Sequence, residues 1–144
     1  MAGFTLIEML CTIAILGLAL TLIVGYKPPW SGALQLRVTA AEIASALRLA
    51  RSEAIARNRP IAFKLNLATH RFRVENGAAR QLPAQLKIEL LTIRGEQQDA
   101  TTGGIRFNPD GSSTGGRISL ADGARSIDVG VDWLSGRVSL AGGR

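Results

Sequence analysis

The stretch FTLIEMLCTIAILGLALTLIVG, Phe4 to Gly25, carries one charged side chain, Glu8, and no proline. As an α-helix rising about 1.5 Å per residue it would extend roughly 33 Å, enough to cross the hydrocarbon core of a bilayer. A cleaved secretory signal would open with basic residues, have a shorter apolar core and end at small residues of the A-x-A kind. Here no basic residue precedes the run, the run is longer, and Tyr26-Lys27-Pro28-Pro29-Trp30 follows it. The segment therefore reads as a retained membrane helix over 4–26. Glu8 is then a carboxylate inside a span, which costs a few kcal/mol on insertion scales and usually has a partner. The helix contains no Lys or Arg, so the economical partner lies on another chain.

Outward from that helix, the two prolines break or kink the chain, and Tyr26 and Trp30 suit the membrane–water interface. Leu34 to Asn58 follows without Pro or Gly, with Leu36, Ala40, Ile43, Leu47, Ala50 and Ala54 recurring at three and four. That spacing predicts an amphipathic helix with one apolar stripe, ending near Asn58-Arg59-Pro60. Arg37, Arg48, Arg51 and Glu53 lie mostly off the stripe and read as a solvated face. After Pro60 the period changes to two. Ile61, Phe63, Leu65 and Leu67 alternate with polar or small residues, and Phe72 and Val74 continue, so 61–75 reads as a hairpin. Leu86, Ile88 and Leu90 mark a third strand, and polar Arg94 to Gly104 reads as a loop. Ile105 and Phe107 open a short strand that ends in the Asn108-Pro109-Asp110-Gly111 turn, extended to Gly116. Ile118 and Leu120 come next, then an Asp122-Gly123 turn. Ile127, Val129, Val131 and Trp133 alternate, and Ser135-Gly136 turns into Val138 and Leu140. The expectation is α+β: a membrane helix continuing into an amphipathic helix packed on six or seven short antiparallel strands.

Composition bounds the chemistry. The chain has 144 residues, 47% hydrophobic and 19% charged, which suits one domain and argues against wholesale disorder. One Cys (Cys11) and one His (His70) exclude disulfide frameworks and Cys/His zinc sites. The net charge of +6 is spread along the chain without a block of like charges, as a solvated surface, a headgroup-facing surface or weak polyanion binding would have it. A Ser/His/Asp set could be imagined from Ser112, His70 and Asp110, but nothing resembles a nucleophile elbow, so no catalytic residue is assigned. Asp110, Asp122, Asp128 and Asp132 fit no calcium-loop spacing, and Asp128 and Asp132 read as solvent-side strand residues. No phosphate-binding glycine loop is present, and no metal or cofactor is expected. Cys11 reads as packing within the membrane helix.

The string Gly3-Phe4-Thr5-Leu6-Ile7-Glu8 and the apolar run behind it resemble the type IV pilin and type II secretion pseudopilin superfamily. That resemblance implies a prepilin peptidase cut between Gly3 and Phe4, N-methylation of Phe4, and pairing of Glu8 with the N-terminal amine of a neighbouring subunit. It makes 1–3 the remnant of a leader, 4–26 the assembly helix, 27–60 a kinked junction with the amphipathic helix, and 61–144 the β domain. Leaders of this family usually place Lys or Arg before the Gly. Met1-Ala2-Gly3 has neither. Phe107-Asn-Pro-Asp-Gly-Ser-Ser-Thr-Gly-Gly116 with Gly136-Arg137-Val138 narrows the likeness to the H-type minor pseudopilin, with FimT-type minor pilins as near relatives. The implied role is a structural subunit near the tip of the secretion pseudopilus, supporting export of folded periplasmic proteins. The subunit would sit in the bacterial inner membrane with its C-terminal domain in the periplasm. Membrane lipid would surround the helix before assembly. The implied partners are the major and other minor pseudopilins, the prepilin peptidase and the inner-membrane assembly platform. The competing reading is a type IV minor pilin that binds nucleic acid for uptake, for which Arg137 and Arg144 would be the contact residues.

Overall fold

The computed structural model describes residues 5–25, 30–92, 97–99 and 101–143. The chain divides into two compact units, Met1–Ser31 and Gly32–Arg144. The first is built around α1, Leu6–Gly25. Its described side chains, Thr5 to Ile23, are all exposed. The expected kink at Pro28-Pro29 lies outside the described residues.

The second unit is organised by α2, Trp30–Ala56. All six stripe residues, Leu36, Ala40, Ile43, Leu47, Ala50 and Ala54, are buried, joined by Ala44. A stripe rich in alanine lets a helix approach a sheet closely, and the larger side chains come from the strands. The strands are β1 Ile61–Asn66, β2 Arg71–Val74, β3 Arg80–Gln81, β4 Lys87–Thr92, β5 Gln97–Asp99, β6 Thr102–Phe107, β7 Gly116–Asp122, β8 Arg125–Val131 and β9 Val138–Gly143. They form a five-stranded antiparallel sheet ordered β3-β2-β1-β6-β5 and a four-stranded one ordered β4-β7-β8-β9. The expected hairpin is β1–β2, with Phe63 opposite Val74 and Leu65 opposite Phe72. Phe63 and Phe72 stack with ring centroids 5.5 Å apart. Ile61, Phe63, Leu65, Ile105 and Phe107 from the first sheet join Ile118, Leu120, Val129 and Val131 from the second in one core with α2.

Two expectations need correction. Among the described residues there are nine strands, not six or seven. The polar stretch 94–104 is not a loop throughout, because Gln97–Asp99 pairs with β6, and β6 itself begins at Thr102. Thr102-Gly103-Gly104 lacks the side chains that advertise a strand. Gly103 sits where the two sheets meet, since a Cβ there would stand 2.6 Å from Leu90 Cδ2 of β4, and a Cβ on Gly104 would stand 2.7 Å from the Phe63 carbonyl of β1. Thr92 Oγ1 closes the same seam by donating to the Gly104 carbonyl at 2.8 Å. Glycine inside a strand marks such a close approach. A smaller correction concerns Asp132 and Trp133. β8 ends at Val131, so both lie in the turn leading to β9 rather than on the strand.

Candidate assembly helix and the loop cluster at the end of α2

The first turn of α1 is organised by Thr5. Its hydroxyl oxygen accepts the Glu8 amide at 3.3 Å, while its carbonyl accepts the amides of Glu8 and Met9. Thr5-Leu6-Ile7-Glu8 thus has the T-x-x-E spacing of a capping box, with the carboxylate in the turn where the helix dipole favours negative charge. That spacing is legible in the sequence itself. Further along, Thr12 donates to the Met9 carbonyl at 2.9 Å and Thr21 to the Leu18 carbonyl at 2.7 Å. Both hydroxyls are thereby satisfied within the helix, as an apolar surround requires. Glu8 is the one ionisable carboxylate of an exposed apolar cylinder. Gly3 and Phe4 lie outside the described residues.

On α2, Leu34, Val38 and Leu49 are exposed. Helical spacing sets them on the face opposite the buried stripe. The sequence reading saw one stripe; α2 carries a second, narrower one that its own domain does not cover.

The C-terminal half of α2 meets two turns. In the first, the Asp110 carboxylate accepts the Ser112 hydroxyl at 2.6 Å and its amide at 2.9 Å, and Asn108 Nδ2 donates to Ser112 Oγ at 3.0 Å. In the second, the Asp132 carboxylate accepts the amide and hydroxyl of Ser135, each at 2.7 Å. These bonds favour the charged carboxylates. The Ser112 hydroxyl, then its amide, holds Asp110 below the ordinary aspartate range, and the Ser135 amide and hydroxyl do the same for Asp132. Ser113 joins the turns, its amide donating to the Trp133 carbonyl at 2.8 Å and its hydroxyl to the Asp132 carbonyl at 3.0 Å. Arg51 reaches across from α2 and donates from Nε to the Gly111 carbonyl at 3.1 Å. Gly136 has φ +63°, and a Cβ there would collide with that carbonyl and crowd Arg51. Arg51 is therefore not part of a solvated face: it is half-buried and ties the helix to both turns.

This arrangement answers the chemical alternatives. His70 Nδ1 lies 3.3 Å from the Pro83 carbonyl, whereas Ser112 is engaged by Asp110 and Asn108, so the imagined set forms no hydrogen-bonded relay. Among the described residues no group of three or more His, Cys, Asp or Glu could hold a metal ion. Asp128 instead faces Arg117 at 3.8 Å. Cys11 is exposed on α1. Arg137 is exposed on the β8–β9 turn and shares a groove with Arg48 and Arg51. Arg144 lies outside the described residues.

A single exposed apolar helix, followed by a helix packed on two antiparallel sheets, defines a pilin-like subunit. The chain belongs to the type II transport protein GspH family, whose model matches residues 39–136, and is thus an H-type minor pseudopilin of type II secretion. The prokaryotic N-terminal methylation motif matches residues 1–24. Type II secretion system protein H of Xanthomonas campestris pv. campestris is 36% identical over 138 residues, covering 94% of this chain and 80% of that protein. The minor pseudopilin EpsH of Vibrio cholerae superposes with a TM-score of 0.59 at 16% identity, over 75% of this chain and 97% of that one. The type IV minor pilin FimU of Pseudomonas aeruginosa gives 0.59 at 15% identity, over 78% and 92%. At these identities the two structures speak for the fold. The family model and the Xanthomonas relative favour the secretion branch over the pilus branch. The family is a structural one, and its members assemble with other pseudopilins.

Proposed function

We propose that this subunit is cut between Gly3 and Phe4 by the prepilin peptidase, methylated at Phe4, and stored in the inner membrane by α1 with its C-terminal domain in the periplasm. It then enters the pseudopilus near the tip, beside the major and other minor pseudopilins, on the inner-membrane assembly platform. The fibre so capped supports export of folded periplasmic proteins across the outer membrane. The observation that carries the reading is the Thr5-capped first turn, which presents one carboxylate, Glu8, on an otherwise uncharged span. In hydrocarbon that carboxylate needs a cation, and the nearest one a parallel neighbour can supply is its new N-terminal amine. The outward Leu34–Val38–Leu49 face of α2 gives a bundle of helices a second apolar surface to cover.

The test is complementation of a chromosomal deletion, scored by the enzymes released into the medium. Deletion should abolish release and the intact chain restore it. Glu8→Gln should fail to restore it by at least about tenfold, since the lost ion pair in a dry site exceeds about 1.4 kcal/mol. Normal release from the deletion strain would sink the reading.

A further inference from the structure

We infer that the β8–β9 turn, Asp132–Arg137, is the docking element of the periplasmic domain, and that its occupant is an acidic face of a different pseudopilin of the same fibre. The inference rests on the fibre reading above and names the contact that reading leaves open. Leu91 and Trp133 on one flank of the turn, and Leu134 within it, are large apolar side chains with little cover: they are 71%, 65% and 67% exposed. Leu91 and Trp133 border one shallow cleft with Gly115 and Gly116. On the other flank, Arg48, Arg51 and Arg137 converge on a groove of about 410 Å³ floored by Ile55 and Val138. Among the described residues, no carboxylate lies within ion-pair distance of Arg48, Arg51 or Arg137. The nearby Asp132 carboxylate is taken up by Ser135.

The turn is rigid. The Asp132 amide donates to the Arg137 carbonyl at 3.0 Å, the Gly136 amide to the Asp132 carbonyl at 2.9 Å, and Ser113 holds its outer side. The backbone that carries Trp133 and Arg137 is thus already ordered, and only their side chains remain to be fixed on binding. Tryptophan and arginine are among the residue types that dominate interface energies.

Charge chooses the occupant. A second copy would bring a chain of net charge +6 to a groove already lined with guanidiniums. Planar guanidiniums match carboxylates two bonds at a time, and Leu91 and Leu134 ask for apolar protein surface beside them. No aromatic side chain lines the groove on which bases could stack.

The experiment places a photoreactive amino acid at position 133 of the full chain, in cells, and blots for each of the other pseudopilins of the same system. A matching probe at position 34, on the outward face of α2, reports assembly independently. The expected result is a crosslink from position 133 to one acidic pseudopilin. It should fall about tenfold or more in R48E/R137E, fall less in R48K/R137K, which keeps the charge but not the paired bonds, and return in R48E/R137E when a carboxylate of the partner is changed to Lys. Full-length chain in detergent, titrated with each pseudopilin and separately with a fluorescein-labelled oligodeoxythymidine, gives the second readout. Crosslinks from position 34 with none from 133 would overturn the docking element and leave the fibre reading standing. So would a crosslink from 133 to a second copy, or tighter binding of the oligonucleotide than of any pseudopilin with loss in R48E/R137E. Absence of crosslinks from both positions, with normal release from the deletion strain, would overturn both.

Discussion

Arg51 is a structural tie between α2 and the Gly111 turn. Periodicity told its place on the helix but not that Gly111 and Gly136, 60 and 85 positions away, would leave room for it. Removing it leaves the Gly111 carbonyl without its donor, so Arg51→Ala should cost about 1–3 kcal/mol in a denaturant titration. Arg51→Lys should recover part of the loss. The two turns also set an acid sensitivity. Asp110 and Asp132 are held below the ordinary aspartate range by Ser112 and Ser135, and Glu75 is held below the glutamate range by the Arg59 side chain, 2.7 Å away. A carboxylate whose folded pKa is depressed contributes stability above its unfolded value and loses it as pH falls through the folded one. The melting temperature should therefore be flat from neutral pH to about pH 5 and decline below about pH 4. Asp110→Asn should make that decline shallower, read from melting curves across the acid range.

At the scale of elements, α2 and the β1–β2 hairpin were legible because their side chains repeat at the period of their own backbone. All six stripe residues are buried, and Ile61, Phe63 and Leu65 face inward in strict alternation. Leu47 is fully buried in that stripe, so Leu47→Ala should cost about 2–5 kcal/mol, measured by the same titration. β5 and the start of β6 were not legible. The signal of β6 is the absence of side chains at Gly103 and Gly104, which acquires meaning only when Leu90 of the other sheet is seen against Gly103 and the Phe63 carbonyl of β1 against Gly104. The candidate site divides the same way. Glu8 stood out as a lone charge, whereas the grouping of Arg48 and Arg51 with Arg137 joins residues nearly ninety positions apart and no local pattern encodes it.

At the scale of the molecule, the two units separate by chemistry as well as by contact. Among the described residues, the buried core lies in the second unit, Gly32–Arg144. A fragment starting near Trp30 should therefore stay soluble and show a cooperative melt by circular dichroism, while a disordered spectrum would refute the architecture. The first unit has a different consequence. From Met9 to Ile23 it offers no charge, and its threonine hydroxyls are spent on its own carbonyls. Lipid tails and the side chains of packed apolar helices are nearly equivalent solvents for such a surface. If the subunit assembles as proposed, moving this helix between bilayer and bundle costs little free energy along most of its length. A fibre built that way would be easy to dismantle, its subunits free to return to the membrane.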